Sequence, residues 1–215
     1  MSPTLLTIRK RTERSKSTMG IVSVAGALLG VLSILASPET PKLNVKTKHG
    51  SPLEEQRKDQ IERLAKQYDL KKYTLTRDIN VEQGAMNHSS PVLTLNPRFL
   101  DNDDLALSAY VHEQGHWVLM ERHRIDMEPL FADLQSAFPN LDVTPPHGDG
   151  QLRSSYYHIV VCMLEWQAME ELVGAERARK VIEWKQGDHY TDIYQALLDH
   201  REQAEAVMHR YSIKW

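Results

Sequence analysis

The chain of 215 residues has a single cysteine, Cys162, and it shows neither a glycine repeat nor an excess of basic residues. One cysteine cannot form a disulfide within the chain, so a small disulfide-stabilised fold is excluded. Ten glycines without a period exclude a collagen-like chain, and 41% apolar residues exclude low-complexity disorder. These limits leave one globular domain of ordinary composition.

The basic residues that the chain does have are concentrated at its N-terminus. Residues 1–16 contain five Lys and Arg residues against one Glu. The rest of the chain has 21 basic and 28 acidic residues, so its formal charge is −7. A body with this charge would repel phosphate backbones, and we therefore expect no nucleic-acid partner.

An apolar run of 18 residues without a charge, residues 19–36, follows the basic segment. This order is typical of an export signal, and the run also reaches the lower limit for a bilayer span, about 17 residues. Besides a buried amphipathic core helix, the sequence leaves two leading alternatives open: a cleaved signal peptide, and an uncleaved single-pass anchor that holds the protein at a membrane. In both, residues 38–215 lie outside the cytoplasm, in the periplasm or the extracellular space.

The rest of the chain divides into a linker and one domain. Residues 37–52 contain three prolines and no apolar periodicity, so we expect a linker there and a folded domain over residues 53–215. Apolar residues recur with helical spacing over six stretches: 52–68, 103–121, 126–138, 151–173, 175–184 and 190–210. Two short stretches, 73–81 and 91–96, read as strands. The pattern predicts an α+β fold that is mostly helical and has a small sheet.

The helix predicted over residues 103–121 contains the pattern His112-Glu113-Gln114-Gly115-His116. Residues i and i+4 share one face of an α-helix, so the two imidazoles can bind the same metal ion. Glu113 can reach a water at that metal and accept its proton. The pattern therefore predicts one Zn²⁺ per chain, held in part by His112 and His116, with Glu113 as the general base.

Two histidines leave zinc short of a third protein ligand. Glu165 is the strongest candidate, because it follows the apolar residues 159–164 and a carboxylate inside such a helix needs a cation or a proton. His158 lies on the same helical face two turns earlier, with Cys162 between them. We predict Glu165 as the third ligand, and His158 either as a ligand or as a residue that orients a ligand or stabilises the oxyanion. Cys162 is expected to be a small core residue.

An HExxH pattern followed by a Glu from a later helix resembles the gluzincin branch of the zincin metallopeptidases. Residues 112–116 are especially similar to the HExGH of the membrane-associated CAAX-prenyl-protease and heat-shock-protease relatives. Those relatives follow the ligand Glu with Ala and Asp, as ExxAD; here Ala168 is kept, and Met169 stands in place of the Asp. The resemblance covers about residues 91–173. It implies a zincin-like domain with a small twisted sheet beside the active-site helix, in which zinc is bound by His112, His116 and Glu165.

The strand predicted over residues 91–96 suggests how a substrate binds. It begins with Pro91, which is tolerated at a sheet edge or at the first residue of a strand. In zincins the strand before the HExxH helix borders the cleft. We therefore expect an extended peptide to add to this edge through main-chain hydrogen bonds. Tyr190, in a segment that joins two helices, is a further candidate for stabilising the oxyanion.

Together these residues predict a zinc-dependent metallopeptidase that hydrolyses a peptide or protein substrate on the outer side of a membrane. Catalysis is expected to use Glu113, His158 and Tyr190. Two alternatives remain open: an exported, non-catalytic scaffold with a structural metal or none, and a zinc hydrolase that acts on another kind of amide. A metal with an open water position favours the enzyme, whereas a site closed by four protein ligands favours the scaffold.

Overall fold

The computed structural model describes residues 42–122 and 126–215. The predicted signal peptide or membrane anchor, residues 1–36, lies outside the described residues. Within the described part, no helix combines the length and the apolar character that crossing a bilayer requires. The described residues form six α-helices and one three-stranded sheet, so the predicted α+β class, mostly helical with a small sheet, is confirmed.

The sheet consists of three short parallel strands in the order β1-β2-β3. They are β1 (Asn44–Thr47), β2 (Asp78–Val81) and β3 (Leu93–Leu95). Each strand places one or more aliphatic side chains in the core, and Val81, Leu93 and Leu95 are fully buried. Because parallel strands need a crossover between them, β1 and β2 are joined through helix α1 (Pro52–Gln67).

The structure corrects two predictions in this region. Part of the predicted linker over residues 37–52 is strand β1, whose residues 44–47 pair with β2. The strand predicted over residues 73–81 is shorter than expected: only residues 78–81 join the sheet, and Lys71–Tyr73 form a 3-10 turn. Strand β1 was not predicted because Val45 is its only buried apolar residue. The strand over residues 73–81 was predicted too long because Tyr73 is buried although it is not in a strand.

The helices begin and end close to the predicted limits. Helix α1 starts with a capping box in which Ser51 and Glu54 each accept a hydrogen bond from the backbone N–H of the other. The later helices are α2 (Asp103–Trp117), α3 (Met127–Ala137), α4 (Leu152–Val173), α5 (Ala175–Gln186) and α6 (Thr191–Arg210). After Trp117, helix α2 continues as one π-helical turn, Val118–Arg122.

Helix α2 is central to the domain, since residues 105–115 are all buried. Helix α4 packs against it in the antiparallel sense: Ser108 contacts Glu165, whereas His116, two turns later on α2, contacts His158 on the earlier part of α4. Gly115 lies at the close approach of the two helices, because a Cβ at this position would be 3.5 Å from Cγ1 of Val161. This pairing brings the motif on α2 next to the polar residues of α4.

Candidate metal centre

Three histidine rings converge where α2 packs against α4. His112 and His116 lie one turn apart on α2, and their ring centroids are 5.2 Å apart. The ring centroid of His158 lies 5.8 Å from that of His112 and 4.9 Å from that of His116. Each ring offers one nitrogen, and these three atoms all lie within 4.8 Å of one another. Imidazole nitrogens grouped in this way can bind one metal ion.

Hydrogen bonds fix the tautomer of two of these rings. Nδ1 of His112 lies 2.8 Å from Oε2 of Glu165, and Nδ1 of His158 lies 2.8 Å from the carbonyl oxygen of Ser154. A carboxylate and a carbonyl can only accept, so Nδ1 carries the proton in both rings. Nε2 of His112 and of His158 is therefore left with a free lone pair, which is the form that binds a metal.

Burial keeps the three imidazoles neutral. Desolvation lowers the pKa of His112 to about 4, although the Glu165 carboxylate acts in the opposite direction. Desolvation and the neighbouring histidines lower the pKa of His116 well below its usual value, and desolvation also lowers the pKa of His158. Near pH 7 these rings can offer lone pairs to a cation without first losing a proton.

Glu165 is fully buried and accepts four hydrogen bonds. Oε1 accepts from the Ser108 hydroxyl and from Nζ of Lys185 at 2.7 Å. Oε2 accepts from Nδ1 of His112 at 2.8 Å and from the Tyr194 hydroxyl at 2.9 Å. Desolvation would raise the pKa of Glu165, but the Lys185 ammonium and the hydrogen bond from His112 outweigh it and hold this pKa well below its usual range. Each oxygen of the ionised Glu165 carboxylate thus accepts two hydrogen bonds.

These contacts bear on the prediction that Glu165 is the third ligand, which stays a prediction. Among the described residues, two groups of side chains could hold a metal ion. One consists of His112, His116 and His158, and the other of His112, Cys162 and Glu165. The antiparallel packing of α2 and α4 explains why the two groups differ. From His112 to His116 along α2, the facing residues of α4 have decreasing numbers, so His116 lies next to His158. Glu165 accepts a hydrogen bond from His112, and His158 completes the group that contains both histidines of the motif.

The second group, formed by His112, Cys162 and Glu165, is poorly suited to a metal ion. Nζ of Lys185 lies 2.7 Å from Glu165, so a cation of the protein already compensates this carboxylate. Burial, with a contribution from Glu165, raises the pKa of the Cys162 thiol, which therefore stays protonated. Cys162 is completely buried, and the prediction that it is a small core residue is confirmed.

Glu113 follows His112 on α2, and both residues line one cavity of the protein. Only 6% of Glu113 is exposed, and desolvation raises its pKa to about 8 against the opposing effect of Lys185. A carboxylate whose pKa lies close to neutrality can take up and return a proton near pH 7.

Tyr190 directly precedes α6 and has a left-handed backbone conformation, with φ 53° and ψ 38°. Few residues other than glycine adopt it, and such strain is concentrated at functional sites. The Tyr190 ring centroid lies 4.4 Å from that of His158 and 6.3 Å from that of His112. Desolvation raises the pKa of Tyr190, so its hydroxyl remains a hydrogen-bond donor at neutral pH. The structure thus brings Tyr190 next to His158 and His112.

A cavity of about 440 Å³ opens beside His112 and Glu113. Its walls come from α2, from the segments on either side of β3, from the loop before α4 and from the junction of α5 and α6. Besides His112 and Glu113 it is lined by Met86, Asn87, Asn96, Arg98, Phe99, Ala109, Pro145, Pro146, Gly148, Asp149, Lys185, His189 and Tyr190. A second cavity of equal volume lies near Trp215, but none of the predicted site residues lines it.

The predicted edge strand exists, but its outer edge is already paired. β3 is the last strand of the sheet, and the backbone N–H and C=O of Thr94 both bond to His88, at 2.8 and 3.1 Å. Next to them, the N–H of Asn96 donates to Oδ1 of Asn87 at 2.8 Å. The expectation that an extended peptide adds to residues 91–96 is therefore wrong, because a segment of the chain itself occupies this edge.

The residues that surround Glu165, above all Lys185, were not predicted from the sequence. Its side chain belongs to α5 and is almost completely buried. A signal was available, since Lys185 follows the buried Val181 and Ile182 at spacings of four and three residues and so continues the apolar face of α5. A lysine at such a position indicates a buried acidic partner.

No protein-family profile matches the chain, and no curated protein or solved structure is similar enough to match it. The likeness to gluzincins therefore depends on the residues of α2 and α4 alone.

Proposed function

We propose that this protein is a zinc-dependent peptidase in which His112, His116 and His158 hold one Zn²⁺ and Glu113 is the general base. The convergence of three imidazole nitrogens within 4.8 Å of one another, with Glu113 next to His112 on the same helix, carries this proposal. Three protein ligands leave a coordination position for water or substrate, as catalytic zinc sites require. A cavity beside His112 and Glu113 gives a substrate access to that position.

The chemistry of the donor atoms fits zinc. Imidazole nitrogen is a common zinc ligand, and the hydrogen bonds to Glu165 and Ser154 leave Nε2 of two rings free for it. A carboxylate that accepts a hydrogen bond from a metal-binding histidine fixes the ring and raises its basicity. Lys185 in turn fixes that carboxylate, so the ring of His112 is supported from the core outwards.

When bound, Zn²⁺ would supply Lewis-acid activation of a water molecule and of the substrate carbonyl. Glu113 would accept a proton from the attacking water and return it to the leaving amine. Tyr190 would donate its phenolic hydrogen to the carbonyl oxygen as negative charge develops there. His158, expected from the sequence to take part in catalysis, would contribute as a ligand.

The same features support a zincin-like domain. A small sheet, an HExxH helix and a later helix that offers a third ligand occur in the order that the likeness to gluzincins implies, with His158 in place of Glu165. The basic and apolar residues 1–36 support placing this domain outside the cytoplasm, either exported or held at a membrane.

Replacement of the general base tests the proposed function. Full-length wild-type and Glu113→Gln proteins are loaded with zinc, and hydrolysis of a defined peptide mixture is followed by mass spectrometry. We expect Glu113→Gln to keep its zinc and to lose about 10²- to 10⁴-fold in rate. Glu128→Gln is the control, since Glu128 is exposed on α3. Full activity of Glu113→Gln would overturn the mechanism, and zinc binding without any turnover in the wild type would favour the scaffold.

A further inference from the structure

The segment that covers the edge of β3 also limits which substrates fit the site. We propose that the substrates are short peptides that enter the cavity beside Glu113, and that they need no free C-terminal carboxylate. This inference rests on the proposed peptidase activity and adds a substrate class to it. Three features carry it: the occupied strand edge, the fixed walls of the cavity and the pairing of its cations.

Strand addition requires free backbone groups on alternate residues of an edge strand. On the outer side of β3 these groups belong to Val92, Thr94 and Asn96. The carbonyl of Val92 accepts from Oγ1 of Thr94 at 3.1 Å, both backbone groups of Thr94 bond to His88, and the N–H of Asn96 bonds to Asn87. A longer peptide therefore gains few main-chain hydrogen bonds from β3, because both backbone groups of Thr94 and the N–H of Asn96 are already bonded. The cost of ordering the peptide, in contrast, grows with its length.

Two other walls of the cavity are fixed by contacts within the protein. The loop before α4 is tied to the start of α6, because the N–H of Thr191 donates to the carbonyl of Pro146 at 3.1 Å and Oγ1 of Thr191 lies 2.7 Å from Nδ1 of His147. Arg98 makes two hydrogen bonds to Asp188, at 3.0 and 2.5 Å. The cavity volume of about 440 Å³ lies in the range of small-ligand sites, so it suits a few residues around the cleaved bond.

The charges of the cavity disfavour a substrate carboxylate. Its Lys and Arg residues are both paired with carboxylates of the protein: Arg98 with Asp188, and Lys185 with Glu165 at 2.7 Å. Asp149 adds an acidic group to the lining. Among the described lining residues no Lys or Arg is left for a C-terminal carboxylate, so a peptide amide is expected to bind as well as the free acid.

The test uses full-length, zinc-loaded protein and a ladder of peptides, from tripeptide to dodecapeptide, around one cleavable sequence. Each peptide is made as the free acid and as the C-terminal amide. The first readout is kcat/KM, measured from product formation. The second is binding to zinc-loaded Glu113→Gln by calorimetry, which requires no turnover. We expect the shortest cleavable peptides to exceed the dodecapeptide by about tenfold in kcat/KM, and amide and acid to agree within about threefold.

A variant that loosens the covered edge provides a second comparison. Asn87→Ala removes the acceptor of the Asn96 N–H and should raise the relative rate for the dodecapeptide. Asn140→Ala is the matched control, because Asn140 is exposed and does not line this cavity. It should leave the dependence on peptide length unchanged.

The outcomes separate this inference from the proposed function. Hydrolysis and binding of the dodecapeptide as good as those of the short peptides would overturn the short-peptide class and leave the peptidase standing. A marked preference for free acids over amides would overturn the claim about the C-terminus. If no peptide is hydrolysed, the proposed peptidase activity is wrong, and calorimetry then tests on its own whether short peptides bind. If no peptide binds either, both proposals are wrong.

Discussion

Nδ1 of His112 donates a hydrogen bond to Oε2 of Glu165 across 2.8 Å. Through this contact a carboxylate of α4 supports a ring of α2, and its other partners come from α2, α5 and α6. Four helices are therefore joined at one buried group directly behind the proposed zinc site. The stability of the core and the orientation of His112 depend on the same contacts.

Replacing Lys185 should be strongly destabilising. Lys185→Met leaves the Glu165 carboxylate buried without its cation, and breaking a buried ion pair in this way costs about 3–5 kcal/mol. The free energy of unfolding is measured by urea titration of zinc-free protein, followed by circular dichroism. The double variant Lys185→Met/Glu165→Gln should lose less than the sum of the two single variants, because it leaves no unpaired charge.

The control for this prediction is Lys180→Met on the exposed face of the same helix. Lys180 pairs with Glu176 one turn away, and solvent screens an exposed pair of this kind, so its loss should change the stability little. If Lys185→Met were no more destabilising than Lys180→Met, Lys185 would not be the cation that holds Glu165 in place.

A second prediction concerns pH and the start of α1. Glu54 is buried, and desolvation would raise its pKa, but hydrogen bonds from Gln83, His49 and Ser51 outweigh it and lower the pKa to about 2. A carboxyl group with a lowered pKa in the folded state stabilises the protein above its unfolded value, here 4.5, and this contribution is lost as the pH falls towards 2. Glu54→Gln should therefore be destabilised at pH 7, and its difference from the wild type should shrink below pH 4.5.

Unfolding titrations of both proteins between neutral and acidic pH check this expectation. Glu55→Gln, whose side chain is exposed at the next position of α1, reports the effect of removing a surface charge. A loss of stability in Glu54→Gln that is equal at all pH values would show that the carboxylate charge is not responsible.

A third prediction concerns the loop before α4, which forms one wall of the cavity. A Cβ at Gly148 would lie 2.6 Å from Cα and 2.7 Å from the carbonyl oxygen of Val143, which is closer than real contacts allow. Gly148→Ala should destabilise the protein by about 1–3 kcal/mol, as overpacking does elsewhere. Gly187→Ala is the control, since its nearest contact would be 3.5 Å. Thermal unfolding of the two variants distinguishes them, and equal melting temperatures would contradict the close packing.

The helices of this fold were predictable because they depend on local patterns. Apolar spacing located α2 and α4 almost to the residue, and the HExxH motif placed His112, Glu113 and His116 on one helix. Strand β1 was not recognised, since its pairing with β2 is long-range and only Val45 marks it as buried. The covering of β3 by residues 87–88 is likewise a backbone contact that no side-chain pattern reveals.

The choice between His158 and Glu165 could not be made from α4 alone. Both lie on one face of this helix, and only the direction in which α4 packs against α2 decides which of them faces His116. The apolar surroundings of Glu165 correctly indicated a need for a cation. Lys185 of α5, a residue distant in the sequence, provides a cation 2.7 Å from this carboxylate.

Zinc content tests the central claim most directly. Full-length wild-type, His158→Ala and Glu165→Gln proteins, checked for folding by circular dichroism, are supplied with zinc and examined by elemental mass spectrometry and competition titration. We predict one zinc per chain in the wild type, loss of zinc in His158→Ala, and retention in Glu165→Gln with an affinity weaker by about 10- to 100-fold. A folded wild type without zinc would contradict the metal site, and zinc lost from Glu165→Gln but kept by His158→Ala would show that Glu165 is the ligand.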